Sequence, residues 1–318
     1  MTDRVQPRRA HHKWMGQKRK EALAAYLFLL PWLIGLLVFL LIPIGMAAYS
    51  AFTRWVLIDP PPRWIGLGNF RQMFTKDRYF GWSLGVTLKY MAMTLIPFMI
   101  LGLALSILLN QKLRGMNLFR TVFYIPSVVS GVAVTLLWIS LLDPDLGALN
   151  TMLRSIGVED PPNWISSSTW ALPSVALMSL WGIGGGAIIY LAGLQNIPPH
   201  LYEAADIDGA STWTKFWKIT IQMLSPTIFF VLITGIIGSF QVFTPAYIMG
   251  GASRFGAGSK YLRFYLLHLY VSGFQQGRLG YASALAWVLF FISAITVIIV
   301  YNFTERWVYY EEAGEGTS

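Results

Sequence analysis

The sequence predicts an all-α integral membrane protein with six transmembrane helices and with both termini on the cytoplasmic side. The chain of 318 residues is 55% hydrophobic and only 12% charged, with a mean hydropathy of +0.53, whereas soluble domains carry roughly 25% charged residues. Six apolar segments each reach the roughly 20 residues that a helix needs to cross the hydrocarbon core. Lysine and arginine concentrate before the first of them, and such an end stays in the cytoplasm.

A basic tail, residues 1–22, opens the chain and is predicted to be cytoplasmic. Its first 20 positions carry seven lysines and arginines but a single acid. The apolar run at about 23–52 is too long for the roughly 7–15-residue core of a signal peptide. We therefore expect an uncleaved first span, in which Pro31 and Pro43 are kinks that a membrane helix tolerates.

Five more apolar segments are predicted to span the membrane, near residues 84–109, 121–142, 170–193, 225–248 and 281–303. The loops after the first, third and fifth spans are then external, and the loops after the second and fourth are cytoplasmic. The spans form one transmembrane domain, residues 23–303, and an acidic tail, 304–318, follows in the cytoplasm.

Several kinds of chemistry are excluded by composition. The chain has no cysteine, which excludes disulfides and thiolate metal sites, and its four histidines do not cluster at metal-ligand spacing. The net charge of +9 fits cytoplasmic loops of a membrane protein better than nucleic-acid binding. The segment 256–260, GAGSK, has the wrong spacing for a phosphate-binding loop. We predict no catalytic residue, no metal and no cofactor, so the chain is not an enzyme.

Lys89 is the only charged residue inside the spans as predicted. Ion-coupled carriers generally place ionisable side chains in the interior of the bundle. Lys89 is predicted to lie about one turn from the outer end of its span, where a long side chain can snorkel to the interface. Neither an ion gradient nor an ATP site in this chain is therefore expected to drive transport.

The polar segment 194–226, LQNIPPHLYEAADIDGASTWTKFWKITIQMLSP, predicts two short helices between the fourth and fifth spans. Pro198-Pro199 suits the first turn of a helix, and Asp208-Gly209 is a plausible stop because glycine adopts the left-handed cap conformation. Ser211 or Thr212 can cap a second helix. On physical grounds alone, an amphipathic loop on the membrane surface explains this segment about as well as a docking site does.

The same segment resembles the EAA loop of binding-protein-dependent ABC importer permeases. The resemblance rests on Glu203-Ala204-Ala205, Asp208-Gly209-Ala210, Ile219, Ile221 and Leu224-Ser225-Pro226, with Gln222 where the family usually has proline. Three shorter patterns are similar to sugar and glycerol-phosphate permeases of this superfamily: Gly68-Asn69-Phe70, Phe119-Arg120-Thr121, and LLDPDLGALN at 141–150. The resemblance implies that this cytoplasmic loop docks into an ATPase subunit through Tyr202, Glu203, Ala204, Ala205, Asp208 and Gly209.

The resemblance also implies a function and a set of partners. The chain would be a permease subunit that moves a sugar or related polyol across a bacterial-type cytoplasmic (inner) membrane by alternating access. Its partners would be a second related permease, an ABC ATPase dimer that binds the ATP, an extracytoplasmic solute-binding protein and membrane lipid. The alternative is a self-sufficient secondary carrier or channel for a neutral solute, in which the EAA-like segment is an accidental surface helix.

A pathway for a neutral polar solute requires small residues, hydroxyls, amides and aromatic faces inside the bundle. An aromatic face can stack on a sugar ring, and an amide can hydrogen-bond its hydroxyls. The predicted pathway residues are Trp181, Gly182, Gly235, Ser239 and Gln241. For the glycines, close helix packing, as at Gly182 and Gly186 four residues apart, is the competing interpretation.

Overall fold

The structure, a computed structural model, describes residues 11–250 and 260–304 and is predominantly helical. The predicted acidic tail from residue 305 onwards, the first ten residues of the basic tail and most of the GAGSK segment lie outside the described residues. Within these ranges, four helices are long and apolar enough to cross a membrane, or up to six if each of two bent pairs is one span. The described residues are mostly helical, as expected for the predicted all-α membrane protein, except for one short hairpin, and they are compatible with six spans.

The first span is a nearly continuous helix. Helix α1 (His11–Leu36) passes through a π-helical turn (Leu37–Leu41) into α2 (Ile42–Ala51). An antiparallel hairpin of β1 (Thr53–Val56) and β2 (Asp59–Trp64) follows, with Thr53 opposite Trp64, and then α3 (Gly68–Thr75). The sequence predicted only a polar loop here, because a hairpin this short carries little periodic pattern.

Helix α4 (Arg78–Leu109) is the longest element within the described part of the chain and lies at the centre of the bundle. Asp77 caps it by accepting a hydrogen bond from the Tyr79 N–H at 2.8 Å. The helix begins before the predicted start at residue 84, since its capped first turns are aromatic rather than aliphatic. Lys89 is exposed and lies about three turns along α4. Lys89 is thus farther from the start of the helix than the single turn predicted from the shorter span, and its snorkelling to the interface stays a prediction.

The third and fourth spans are broken, contrary to the continuous helices predicted for 121–142 and 170–193. Helices α5 (Met116–Val128) and α6 (Gly131–Leu141) meet at 94°. After α7 (Ala148–Ser155), helices α8 (Ala171–Leu180) and α9 (Ile183–Gln195) meet at 43°. Both breaks carry residues with little helix preference, Ser130 in extended backbone and Gly182.

The second half of the chain contains the EAA-like segment and the last two spans. Its elements are α10 (Pro199–Ile207), α11 (Thr212–Lys215), a π-helical turn (Phe216–Thr220), α12 (Ile221–Met223), α13 (Ser225–Phe240) and α14 (Thr244–Met249). A 3-10 turn (Lys260–Leu262), α15 (Tyr265–Tyr270), a second π-helical turn (Val271–Gln275) and α16 (Leu279–Thr304) complete it. The predicted fifth span is thus interrupted at residues 241–243.

Glycines of α9, among them Gly184 and Gly186, let this helix approach its neighbours closely. A Cβ built on Gly184 would overlap the carbonyl oxygen of Phe123 in α5, and one on Gly186 would lie 2.6 Å from the ring of Phe98 in α4. A Cβ on Gly182 meets only Ser179 of the preceding helix, at 3.6 Å. Close packing therefore involves Gly184 and Gly186, whereas Gly182 has room for a side chain.

The substitution Gly184→Ala should lower the midpoint of thermal unfolding in detergent by several degrees. The added methyl group collides with backbone, which cannot rotate away, and overpacking of this kind costs about 1–3 kcal/mol or more. Gly238→Ala is the matched control, since a Cβ there has no neighbour within 4 Å. Equal melting temperatures for the two variants would contradict the close α5–α9 contact.

Candidate functional site

The EAA-like segment folds as its local sequence predicts. Helix α10 starts at Pro199, directly after extended Pro198, and ends before Asp208. Gly209 adopts a left-handed conformation with φ of 71°, and the Ala210 N–H closes the turn by donating to the carbonyl of Ala205 at 2.9 Å. Of the two predicted caps, Ser211 is the one used, since its hydroxyl accepts from the Thr214 N–H at 3.2 Å.

Two side-chain contacts that the sequence did not predict hold the two halves of this segment together. The Tyr202 hydroxyl lies 2.9 Å from the Thr220 hydroxyl, and the Lys215 ammonium pairs with the Asp206 carboxylate at 2.6 Å. Beneath them, the apolar side chains of the segment pack against the Leu109 end of the bundle, in a cluster of Leu103, Leu194, Ile197, Leu201, Ile219, Met223 and Leu224. These contacts hold the two helices of the EAA-like segment in one arrangement against the bundle, and we call this packed segment the platform.

Most of the predicted ATPase-coupling residues lie on the outward face of this platform, whereas the Tyr202 hydroxyl faces inward to Thr220. Glu203, Ala204, Asp208 and Gly209 are exposed, while Ala205 and Tyr202 are half-buried. Ile207, which the sequence did not single out, is 88% exposed at the tip of α10. The face thus presents two exposed acids, Glu203 and Asp208, together with small side chains and a protruding apolar residue.

The interrupted spans meet around one cavity of about 450 Å³, which we call the break cavity. Its lining includes Ser127, Val129 and Gly131 from the α5–α6 break, Trp181 and Gly182 from the α8–α9 break, and Gln241, Val242 and Phe243 from the α13–α14 break. Irregular backbone at membrane depth is tolerated where it is buried in protein or lines a water-filled cavity. Discontinuous helices around a central site are also typical of transporters.

A smaller cavity of about 170 Å³ adjoins the break cavity and shares Tyr90, Ser179 and Val242 with it. Gly235 and Ser239 line the smaller cavity, so each of the five predicted pathway residues borders one of the two spaces. Sequence reasoning missed Tyr90 and Ser179, because a lone tyrosine and a lone serine in apolar helices give no signal. Among the described residues that line either cavity, none is charged.

The polar groups of the two cavities are mostly hydrogen-bond acceptors. Four of their hydroxyls donate to carbonyls of their own helices at 2.6–2.8 Å, those of Ser127, Thr135, Ser179 and Ser239, which leaves the oxygen lone pairs free to accept. The Gln241 amide and the Trp181 indole N–H form no hydrogen bond with any described residue, and Trp181 is 39% exposed. Together these groups suit a ligand that both donates and accepts, as sugar hydroxyls do.

The comparisons with known proteins point to one family. The sequence profile of the "Binding-protein-dependent transport system inner membrane component" family matches residues 98–309. The chain is 38% identical over 298 residues to the probable ABC transporter permease protein YesP of Bacillus subtilis (strain 168), covering 93% of this chain and 95% of that protein. It is 32% identical over 289 residues to the arabinooligosaccharides transport system permease protein AraP of the same strain, covering 90% of each.

A solved structure is similar over nearly the whole chain. It is a bacterial ABC transporter in complex with an alginate pentasaccharide-bound periplasmic protein. One of its chains matches with a TM-score of 0.78 and 25% identity, covering 92% of this chain and 97% of that chain.

Proposed function

The chain belongs to the family of binding-protein-dependent transport system inner membrane components, and we propose that it moves an uncharged saccharide through the break cavity. It is a multi-pass membrane permease subunit of an ABC importer.

The observation that carries this proposal is the meeting of three broken spans at one uncharged cavity. The three helices are interrupted where they line the same cavity, and close packing alone does not require the three interruptions to coincide. Trp181 supplies an aromatic face, and Gln241 supplies an amide that has no hydrogen-bond partner among the described residues. These are the groups that hold a sugar ring without a formal charge.

The chemistry of the lining favours a neutral sugar over an anionic one. Relatives of this chain carry names that include arabinooligosaccharides, trehalose and maltose and sn-glycerol-3-phosphate. A phosphate or uronate would require arginine, lysine or a cluster of N–H donors, and no cation lines the two cavities within the described residues. An oligosaccharide or neutral polyol is therefore the proposed solute.

The proposed topology has six spans with both termini cytoplasmic. The spans are α1–α2, α4, α5–α6, α8–α9, α13–α14 and α16, within a permease domain of residues 23–303. The basic tail, residues 1–22, the acidic tail, residues 304–318, and the coupling loop, residues 194–226, then face the cytoplasm. The Asp77 end of α4 is external in this arrangement.

The outward face of the coupling loop is proposed to dock on the ATPase. Glu203 offers one charge for an ion pair, and the small Ala204 and Ala205 allow a close approach of the partner's backbone. The ATP is bound by the ATPase dimer and not by this chain. A second permease and an extracytoplasmic solute-binding protein complete the importer.

Charge reversal at Glu203 should separate the chain from its ATPase. In a mild-detergent pull-down, the native chain should co-purify with an ATPase and a second permease, and Glu203→Lys should lower the recovered ATPase several-fold by replacing an attraction with a repulsion. Glu159→Lys, an exposed glutamate in an external loop, is the matched control. A chain that purifies alone and still transports in liposomes would be a secondary carrier instead.

A further inference from the structure

A buried polar cluster joins the start of α4 to the segment between α14 and α16. The Oδ2 atom of Asp77 accepts hydrogen bonds from His268 Nε2, at 2.8 Å, and from the Tyr281 hydroxyl. The side chains of His268 and Asp77 are only 2% and 10% exposed. None of these three residues lines the break cavity, and neither the coupling loop nor the solute site explains them.

The hydrogen-bond geometry fixes the protonation state of His268. The Arg263 guanidinium lies 3.2 Å from His268 Nδ1, and because arginine can only donate, Nδ1 must accept. The proton therefore resides on Nε2 and is donated to Asp77, so the imidazole is neutral. Arg263 also covers the ring of Tyr79, with its Cζ atom 3.8 Å from the centroid.

The pKa directions agree with this assignment. Burial lowers the pKa of His268 below its ordinary value of 6.5, and the Asp77 carboxylate only partly offsets that effect, while Arg263 and, from α16, Arg278 lower it further. Burial raises the pKa of Asp77, but the hydrogen bonds from Tyr281 and the Tyr79 backbone, together with the charge and hydrogen bond of His268, lower it and leave that pKa below its usual value.

The cluster holds residues 262–275 in place, and this segment packs against α4 where that helix lines the solute pathway. We call it the cover segment. The Phe264 ring meets the Tyr90 ring edge-on, with centroids 5.2 Å apart, and Tyr90 lines both cavities. The Tyr265 N–H donates to the Thr87 hydroxyl at 3.0 Å, which fixes the cover segment along the Asp77 half of α4.

We propose that Asp77 and His268 are positioning residues that hold the cover segment closed over the external end of the pathway, and that their separation opens this end. The inference rests on the proposed function and topology. A buried set of hydrogen bonds is either formed or broken, because a partly separated pair leaves unpaired polar groups out of water. Such a contact gives a gate two discrete positions.

External access to the cavity tests the proposal directly. The chain has no cysteine, so Ser179→Cys places a single thiol in both cavities. The full importer complex in right-side-out vesicles would be treated with a membrane-impermeant charged thiosulfonate, and the labelling rate would be compared with that of an exposed external thiol, Ser155→Cys. We expect slow labelling in the parent and a rate about tenfold higher when His268→Ala is added.

Conservative variants distinguish a gate from a contact that only stabilises the fold. His268→Gln keeps an N–H that can reach Asp77 and should restore slow labelling, while Tyr281→Phe, which removes one hydroxyl, should raise the rate to a smaller extent. Trp164→Phe removes an unrelated hydrogen bond to Asn150, of 2.6 Å, and should leave the rate unchanged. Unchanged labelling in both His268→Ala and Tyr281→Phe would overturn the proposal, as would equal acceleration by Trp164→Phe.

External acidification gives a second readout on the same samples. Protonation places an N–H on Nδ1 facing Arg263, so the labelling rate of the parent, divided by that of Ser155→Cys at the same pH to correct for the smaller thiolate fraction, should rise as the pH falls below 6.5. The same ratio in the His268→Gln background should not rise. An equal response in the two backgrounds would overturn the role of His268. A thiol that reacts from neither side, with or without nucleotide, would instead refute the break cavity as the pathway, and with it the proposed function.

Discussion

Replacing Gly209 with valine is expected to lower solute uptake about tenfold or more while leaving the amount of protein in the membrane unchanged. Gly209 has φ of 71°, a conformation in which a β-branched residue is strained by roughly 1–3 kcal/mol. The strain is relieved most easily by moving α10 relative to α11, because these two helices meet at this turn. A tenfold change corresponds to about 1.4 kcal/mol, which lies within that range.

Two companion variants separate the effect of the turn from general damage. Gly157→Val introduces the same strain, at φ of 95°, in a loop far from the coupling segment, and should retain most of the uptake. Gly209→Asn should also retain it, since asparagine tolerates the left-handed conformation far better than valine does. The measurement is initial uptake by proteoliposomes, normalised to the permease content. Normal uptake by Gly209→Val would refute the docking role of the coupling loop.

The coupling loop was the most predictable part of the molecule because the residues that start and end its helices act locally. Prolines at the start of α10, glycine at its end and serine before α11 each act within a few residues, and the structure places them in those roles. The contacts that fix the platform could not be predicted in this way. Lys215 with Asp206, and Tyr202 with Thr220, depend on how two helices fold back on each other.

The breaks in the spans were missed for a physical reason. Hydropathy reports how much apolar surface a segment has, and a broken apolar helix has as much as a straight one. Only weak signals mark the break sites, such as Ser130-Gly131 and Trp181-Gly182, and intact membrane helices also contain such pairs. The predicted pathway residues nevertheless border the cavities. They were selected for their chemistry, since a polar solute requires amides, hydroxyls, aromatic faces and small residues along its path.

The hydrogen bonds of the Asp77 cluster could not be predicted from the sequence. The two hydrogen-bond partners of Asp77, His268 and Tyr281, lie 191 and 204 residues further along the chain. Each residue alone is an ordinary polar side chain near a helix end. Its burial depends on how α4, α15 and α16 pack together. Long-range polar contacts of this kind require coordinates.

Removal of the Trp181 or Gln241 side chain is expected to uncouple ATP hydrolysis from solute movement. With saturating binding protein, Trp181→Ala and Gln241→Ala should each lower uptake about tenfold, while ATP hydrolysis stimulated by the binding protein stays near the native rate. An aromatic stacking contact or a hydrogen bond to a polar solute contributes roughly 1–2 kcal/mol, enough for an effect of this size. Neither side chain contacts the coupling loop, so the ATPase should be unaffected.

The ratio of solute moved to ATP hydrolysed is the informative measurement, because a folding defect lowers both quantities together. Trp181→Phe keeps an aromatic face and should recover much of the uptake. Trp32→Ala, on the first span and 63% exposed, removes the same side chain away from the cavity and should leave the ratio unchanged. If Trp181→Ala and Gln241→Ala both preserve the native ratio, the solute does not pass through the break cavity. The three broken spans would then serve only to pack the bundle.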